Sequence, residues 1–107
     1  MKDGTVRISG IQYAIKFKSP EEMGGLIGSA NFNAQEICIN NAFTVPTQQI
    51  AILHEILHIL SDSYNLKMDE EAVKFTTHAL LAILLDNPRL LPDLLGIFYD
   101  GSNGQPQ

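Results

Sequence analysis

Two histidines and a carboxylate stand together in the most apolar stretch of the chain, Ile52-Leu53-His54-Glu55-Ile56-Leu57-His58-Ile59-Leu60. Such a segment belongs in a core, where a polar group left unpaired costs about 1 to 3 kcal/mol and a charged one more. Three such groups within five residues therefore call for shared partners. Residues four apart on a helix lie about 40° apart around the axis and about 6 Å along it, so His54 and His58 can aim ring nitrogens at one point. That is the geometry a Zn²⁺ ion takes from two ligands on one helix. Glu55 points to the side of the pair and can take a proton from a water that the ion activates, without becoming a ligand. Two core histidines satisfied by ordinary hydrogen bonds are the plainer reading of the same residues.

A zinc ion that does chemistry keeps three protein ligands and an open position, so a third ligand is sought downstream. A metzincin would have glycine at position 61 and histidine at position 64, where this chain has Ser61 and Tyr64. The next helix opens instead with Asp69-Glu70-Glu71, the arrangement of a gluzincin, in which a second helix supplies a carboxylate. Glu70 lies in phase with Val73, Leu80, Leu81 and Leu84, and Glu71 with Phe75 and Ala82. The larger aliphatic stripe favours Glu70 as the third ligand, with Glu71 as the alternative. Asp69 reads as a helix cap. Tyr64 is a candidate for hydrogen-bonding a tetrahedral oxyanion, set against a loop-packing aromatic. His78 reads as a surface histidine or an outer metal ligand, and Cys38 as a small buried residue or, in a latent form, a thiolate that blocks the zinc.

These side chains need a scaffold, and the N-terminal half supplies strands. Val6 and Ile8, then Ile11, Tyr13, Ile15 and Phe17, alternate with polar neighbours, and the phase shifts at Gly10, which predicts two strands separated by a turn or bulge. Ser19-Pro20-Glu21-Glu22 is a helix start that Gly24-Gly25 limits to about a turn. Leu26 to Phe32 and Glu36 to Asn40 read as a hairpin through Asn33-Ala34-Gln35, giving roughly four strands. Glu36 to Asn40 could be an edge strand along a substrate cleft or an interior strand. From Pro46 the period changes to that of a buried helix, followed by a loop from Ser61 to Lys67 and a second helix from about Asp69 to Leu85. Asn87-Pro88 ends that helix, and Pro92 predicts a short turn before a last helical segment. The expectation is an α+β fold, with a small, mostly antiparallel sheet packed on the metal helix and a following glutamate helix.

Composition narrows the function classes. The 107 residues predict one domain over 1–100 with a flexible tail from Gly101, and a 45% hydrophobic, 18% charged makeup supports a packed core. A net charge of −5, with no run of Lys or Arg, argues against nucleic acid as a partner. The single cysteine, the absence of a signal-peptide pattern and the lack of a membrane-length apolar run predict a cytoplasmic protein without a membrane partner.

The order of Leu26 to Phe32, Glu36-Ile37-Cys38-Ile39-Asn40, His54-Glu55-Ile56-Leu57-His58, Glu70-Glu71-Ala72-Val73 and Asp86-Asn87-Pro88 resembles the small phage and prophage metallopeptidase-like domains related to the ImmA/IrrE type and to minimal gluzincins. The likeness spans about three quarters of the chain. In those domains the glutamate helix often reads Glu-x-x-Ala/Val followed by an apolar residue and alanine; Val73 matches the Ala/Val position and so points to Glu70, while Thr76 and Thr77 stand in place of the apolar-alanine pair. The resemblance implies zinc binding in a bacterial host cell and hydrolysis of a peptide or protein, in some relatives a phage or mobile-element repressor. It also implies an alternative, a latent or inactive zinc-binding regulatory module. Oligomeric state is not legible here.

Overall fold

The structure, a computed structural model, describes residues 1–100. The expected tail from Gly101 lies outside the described residues. The chain divides into two compact units, one of Met1–Thr77 and one that starts at His78.

In the first unit, β1 (Gly4–Ile8) and β2 (Ile11–Lys18) pair antiparallel through Ser9-Gly10. Both turn residues have positive φ, 52° and 82°, the backbone that a two-residue hairpin of matching twist requires. The expected phase shift is therefore a tight turn. Ser19 then caps the single-turn helix α1 (Pro20–Met23) in a reciprocal box with Glu22, whose carboxyl is held below its usual range first by the backbone N–H of Ser19 and then by its hydroxyl. Gly24, left-handed at φ 59°, closes α1. The hairpin of β3 (Gly28–Asn31) and β4 (Glu36–Asn40) follows, its turn held by Ala34 N–H donating to Asn31 Oδ1 at 2.9 Å.

The four strands form one sheet in the order β1-β2-β4-β3. The expected sheet was mostly antiparallel; the observed one is mixed, because β4 lies parallel to β2 with Ile15 opposite Ile37 and Phe17 opposite Ile39. β4 is thus an interior strand, and β3 is the edge strand beside it, with β1 at the opposite edge. Alternation sends Val6, Ile8, Tyr13, Ile15, Phe17, Ile37, Ile39 and Ala30 to one face, where they pack with Ala51, Ile52, Ile56, Ile59 and Leu60 of α2 (Val45–Ser63). The opposite face carries Lys16, Lys18 and Glu36; Lys16 and Glu36 pair there, which raises the Lys16 pKa and lowers that of Glu36.

Thr44 caps α2, its side chain accepting from Thr47 N–H. α2 ends at Ser63, three residues into the segment expected to be loop. Asp69 caps α3 (Glu70–Asp86) as expected, its Oδ1 accepting Ala72 N–H at 2.8 Å. Val73 and Thr77 are the buried residues of α3. In the second unit, Asn87 to Arg89 turn the chain into α4 (Leu90–Asp100), and Pro92 falls in its first turn, where a missing N–H leaves no helix bond unmade. Among the described residues, no helix is long and apolar enough to cross a membrane.

Candidate metal centre

α2 presents its inward stripe, Ala51, Glu55 and Ile59, to the sheet. Glu55 is in phase with two core residues, one turn before and one turn after it, and this is why a carboxylate is only 9% exposed. His54 and His58 sit to one side of that stripe and are half-buried. Their Nε2 atoms lie 3.2 Å apart, with ring centroids at 4.8 Å.

Glu70, in the first turn of α3, reaches back across this pair. Its Oε1 is 2.7 Å from His54 Nε2 and its Oε2 is 2.9 Å from His58 Nε2. His54, His58 and Glu70 offer ligand atoms that all lie within 4.8 Å of one another, a group that could hold a metal ion. Four-coordinate zinc with bonds of about 2.0–2.1 Å spaces its ligands about 3.3 Å apart, close to the separations here. The Glu70 side chain is 71% exposed and free to retreat by the few tenths of an ångström still needed. A donor set of two imidazole nitrogens and a carboxylate oxygen suits a divalent transition metal.

Of the two glutamates weighed as third ligand, the structure brings Glu70 into the group and leaves Glu71 exposed outside it. The deciding phase is that of Val73 and Thr77, three and seven residues after Glu70, which are the positions α3 buries. Thr77 satisfies its hydroxyl on Val73 C=O at 2.8 Å, so threonine is tolerated at a fully buried position.

Comparison with protein-family models, with curated proteins and with solved structures finds no match. Burial pushes the Glu55 carboxyl above its ordinary value; His54 and His58 pull it back down, and the Glu70 carboxylate adds to the rise.

The other candidates stand elsewhere. Tyr64, 61% exposed, follows the last turn of α2, and its hydroxyl accepts from Ser9 Oγ at 2.9 Å in the β1–β2 turn. Its hydroxyl is thus engaged with the β1–β2 turn, in keeping with the alternative of a loop-packing aromatic. Cys38 is buried in β4, but its neighbours Ile37 and Ile39 face α2, so alternation turns its thiol to the opposite side of the sheet, away from the histidines. A thiolate block of the metal is thereby removed from consideration. His78 is exposed and opens the second unit.

Sequence reasoning passed over Gly28. A Cβ there would stand 3.3 Å from Glu55 Oε2, 3.4 Å from Glu55 Cγ and 3.3 Å from Ile39 Cδ1. Glycine on the edge strand thus makes room for the carboxylate. The only sequence signal was a glycine inside a strand, a known mark of close approach by another group.

Between β3 and α2 the chain leaves two hollows. One, of about 420 Å³, has His54, Glu55 and Glu70 in its wall; the other, of about 460 Å³, has Glu55 and His58. Glu55 is common to both.

Proposed function

We propose that the protein is a zinc-dependent peptidase of gluzincin type, with His54, His58 and Glu70 as zinc ligands and Glu55 as the general base. The observation that carries the reading is the convergence of two Nε2 atoms and one carboxylate, 2.7 to 3.2 Å apart, beside a buried glutamate at the edge of a sheet. A bound zinc ion would supply Lewis acidity, polarising the scissile carbonyl and making water a stronger acid in the site.

The chain's own residues do the rest. Glu55 takes the proton of the attacking water and delivers it to the leaving amine. Its raised pKa suits that second step, since a carboxylate that binds a proton more firmly can carry it between the two events. The outer edge of β3 has no strand beside it among the described residues, so its backbone can take an extended peptide as a further strand. The substrate on this reading is a peptide or protein segment, and the resemblance to phage metallopeptidase-like domains suggests a mobile-element repressor as one such protein.

The test is cleavage of an unfolded protein by zinc-loaded enzyme, read by mass spectrometry. Cleavage should vanish with a chelator, return with zinc, and be absent in Glu55→Gln while that variant still binds metal. Cleavage persisting in Glu55→Gln would discard the mechanism. Zinc binding with no cleavage of any unfolded protein would support the alternative, a zinc-stabilised regulatory module.

A further inference from the structure

The two hollows differ in chemistry. That on the His54 side is walled by Leu26, Ile27, Ile50 and Ala51, together with the metal-type residues. That on the His58 side is walled by Ser61, Asp62, Asn65 and Lys67, with Phe32. The segment behind the polar wall is held in one shape: Ser61 C=O accepts Leu66 N–H and Ser61 Oγ accepts Met68 N–H, both at 2.8 Å, while Asn65 and Lys67 adopt positive φ of 54° and 57°.

The hollows follow one another along the edge strand. Leu26, Ile27 and Gly28 line the first, and Ala30 and Phe32, further along the same chain segment, line the second. An extended peptide laid against β3 crosses Glu55 between them. Because His54 and Glu55 are themselves wall of the apolar hollow, a side chain entering it belongs to a residue next to the bond under attack, extended chain advancing only about 3.3 Å per residue. Leu26 and Ile27 are 56% and 42% exposed. Scattered surface aliphatics are ordinary, but these two line a concavity with Ile50 and Ala51 that runs into the proposed catalytic group, and a buried apolar occupant would recover that area from water.

We infer that the hollow formed by Leu26, Ile27, Ile50 and Ala51 is a specificity subsite that takes a bulky aliphatic or aromatic side chain flanking the scissile bond, so that the substrates are peptides with a large apolar residue at that one position. This rests on the peptidase reading. Asp and small polar residues at that position are disfavoured, because the wall is mainly aliphatic and Glu55 and Glu70 repel an anion, while Thr47 and His54 are its other polar side chains.

The experiment uses the full chain loaded with zinc and a set of extended peptides that differ at one position among Leu, Phe, Met, Ser, Asp and Lys. Cleavage is read with the unaltered protein, and binding with Glu55→Gln. Leu, Phe and Met should be preferred over Ser and Asp by roughly tenfold or more, the scale on which apolar pockets discriminate. Leu26→Asp should weaken that preference and raise relative use of Lys peptides; its side chain is exposed, so the fold survives, as circular dichroism will verify. Ile50→Ala should shift preference from Leu toward Phe. Cleavage without preference at any position, or a preference that neither variant alters, overturns the subsite and leaves the peptidase reading intact. Selective binding without cleavage upholds the subsite and overturns the peptidase reading. Neither binding nor cleavage overturns both.

Discussion

Replacing Gly28 by alanine isolates one link in the account, that the edge strand holds Glu55 in place. The backbone permits the change, because Gly28 does not lie in the left-handed region, and a glycine-to-alanine change at such a site stabilises by about 0.4–1 kcal/mol through the unfolded chain. Space opposes it. The new Cβ would sit 3.3 Å from Ile39 Cδ1 and from Glu55 Oε2, and 3.4 Å from Glu55 Cγ. The two carbon contacts are inside the optimum of about 3.5–4.0 Å for carbon pairs, and the oxygen contact is also tight. Ile39 is fully buried in the sheet core and has nowhere to go, whereas Glu55 borders two hollows and can yield. The carboxylate therefore moves by a few tenths of an ångström. If a misplacement of about 1 Å costs about 100-fold in rate, a third of that costs roughly fivefold. Steady-state cleavage of a peptide should thus show kcat lowered roughly fivefold with little change in KM, while zinc content stays at the unaltered level because none of the ligands is touched. A folded, zinc-replete variant with unaltered kcat would refute this positioning role, since it would mean that Ile39 or β3 yields instead.

Three further perturbations bear on the same site. Glu55 has a folded-state pKa above its unfolded one, so its contribution to stability is intact below the ordinary carboxylate range and is lost as pH rises through the raised value. Metal-free Glu55→Gln should then be more stable than metal-free parent at neutral pH, with the gap closing toward pH 4; denaturant titration at both pH values checks this, and a gap that widens on acidification contradicts it. Glu70→Gln should weaken zinc binding by more than the roughly 10–100-fold that loss of an outer partner costs, and Glu71→Gln should leave it unchanged, as competition with a chromogenic chelator will show. Equal effects of the two would contradict the ligand assignment. Tyr64→Phe removes one exposed hydrogen bond to Ser9 and should cost about 0.5 kcal/mol of stability with no change in zinc affinity or turnover. A collapse of kcat in that variant would return Tyr64 to the site.

Much of the architecture can be read from local pattern. α2 announces itself through apolar residues on nearly every side, the β1–β2 turn through a phase shift at Gly10, and α1 and α3 through the caps Ser19 and Asp69. The metal-type pair on α2 follows from helical spacing alone. Pairing across the sheet does not: each strand shows which face is buried but not which strand lies beside it, so the parallel contact of β2 with β4, which makes β4 interior and β3 the edge, could not be foreseen. Glu70 and Glu71 both flank the apolar side of α3; the aliphatic stripe leans toward Glu70, and the burial of Val73 and Thr77 separates the two. Tyr64 is close to His58 in sequence, yet it follows the end of α2 and bonds to a turn more than fifty residues away, which no spacing rule reveals. Gly28 has its reason in Glu55, a residue on another element.

Zinc binding by purified, chelator-stripped protein tests the central claim most directly, measured by calorimetric titration of the parent chain and of His54→Ala and His58→Ala. The account predicts one zinc per chain for the parent, a higher melting temperature when zinc is bound, and loss of tight binding in both variants. A folded parent that takes up no zinc, or binding that survives removal of either imidazole, would contradict it.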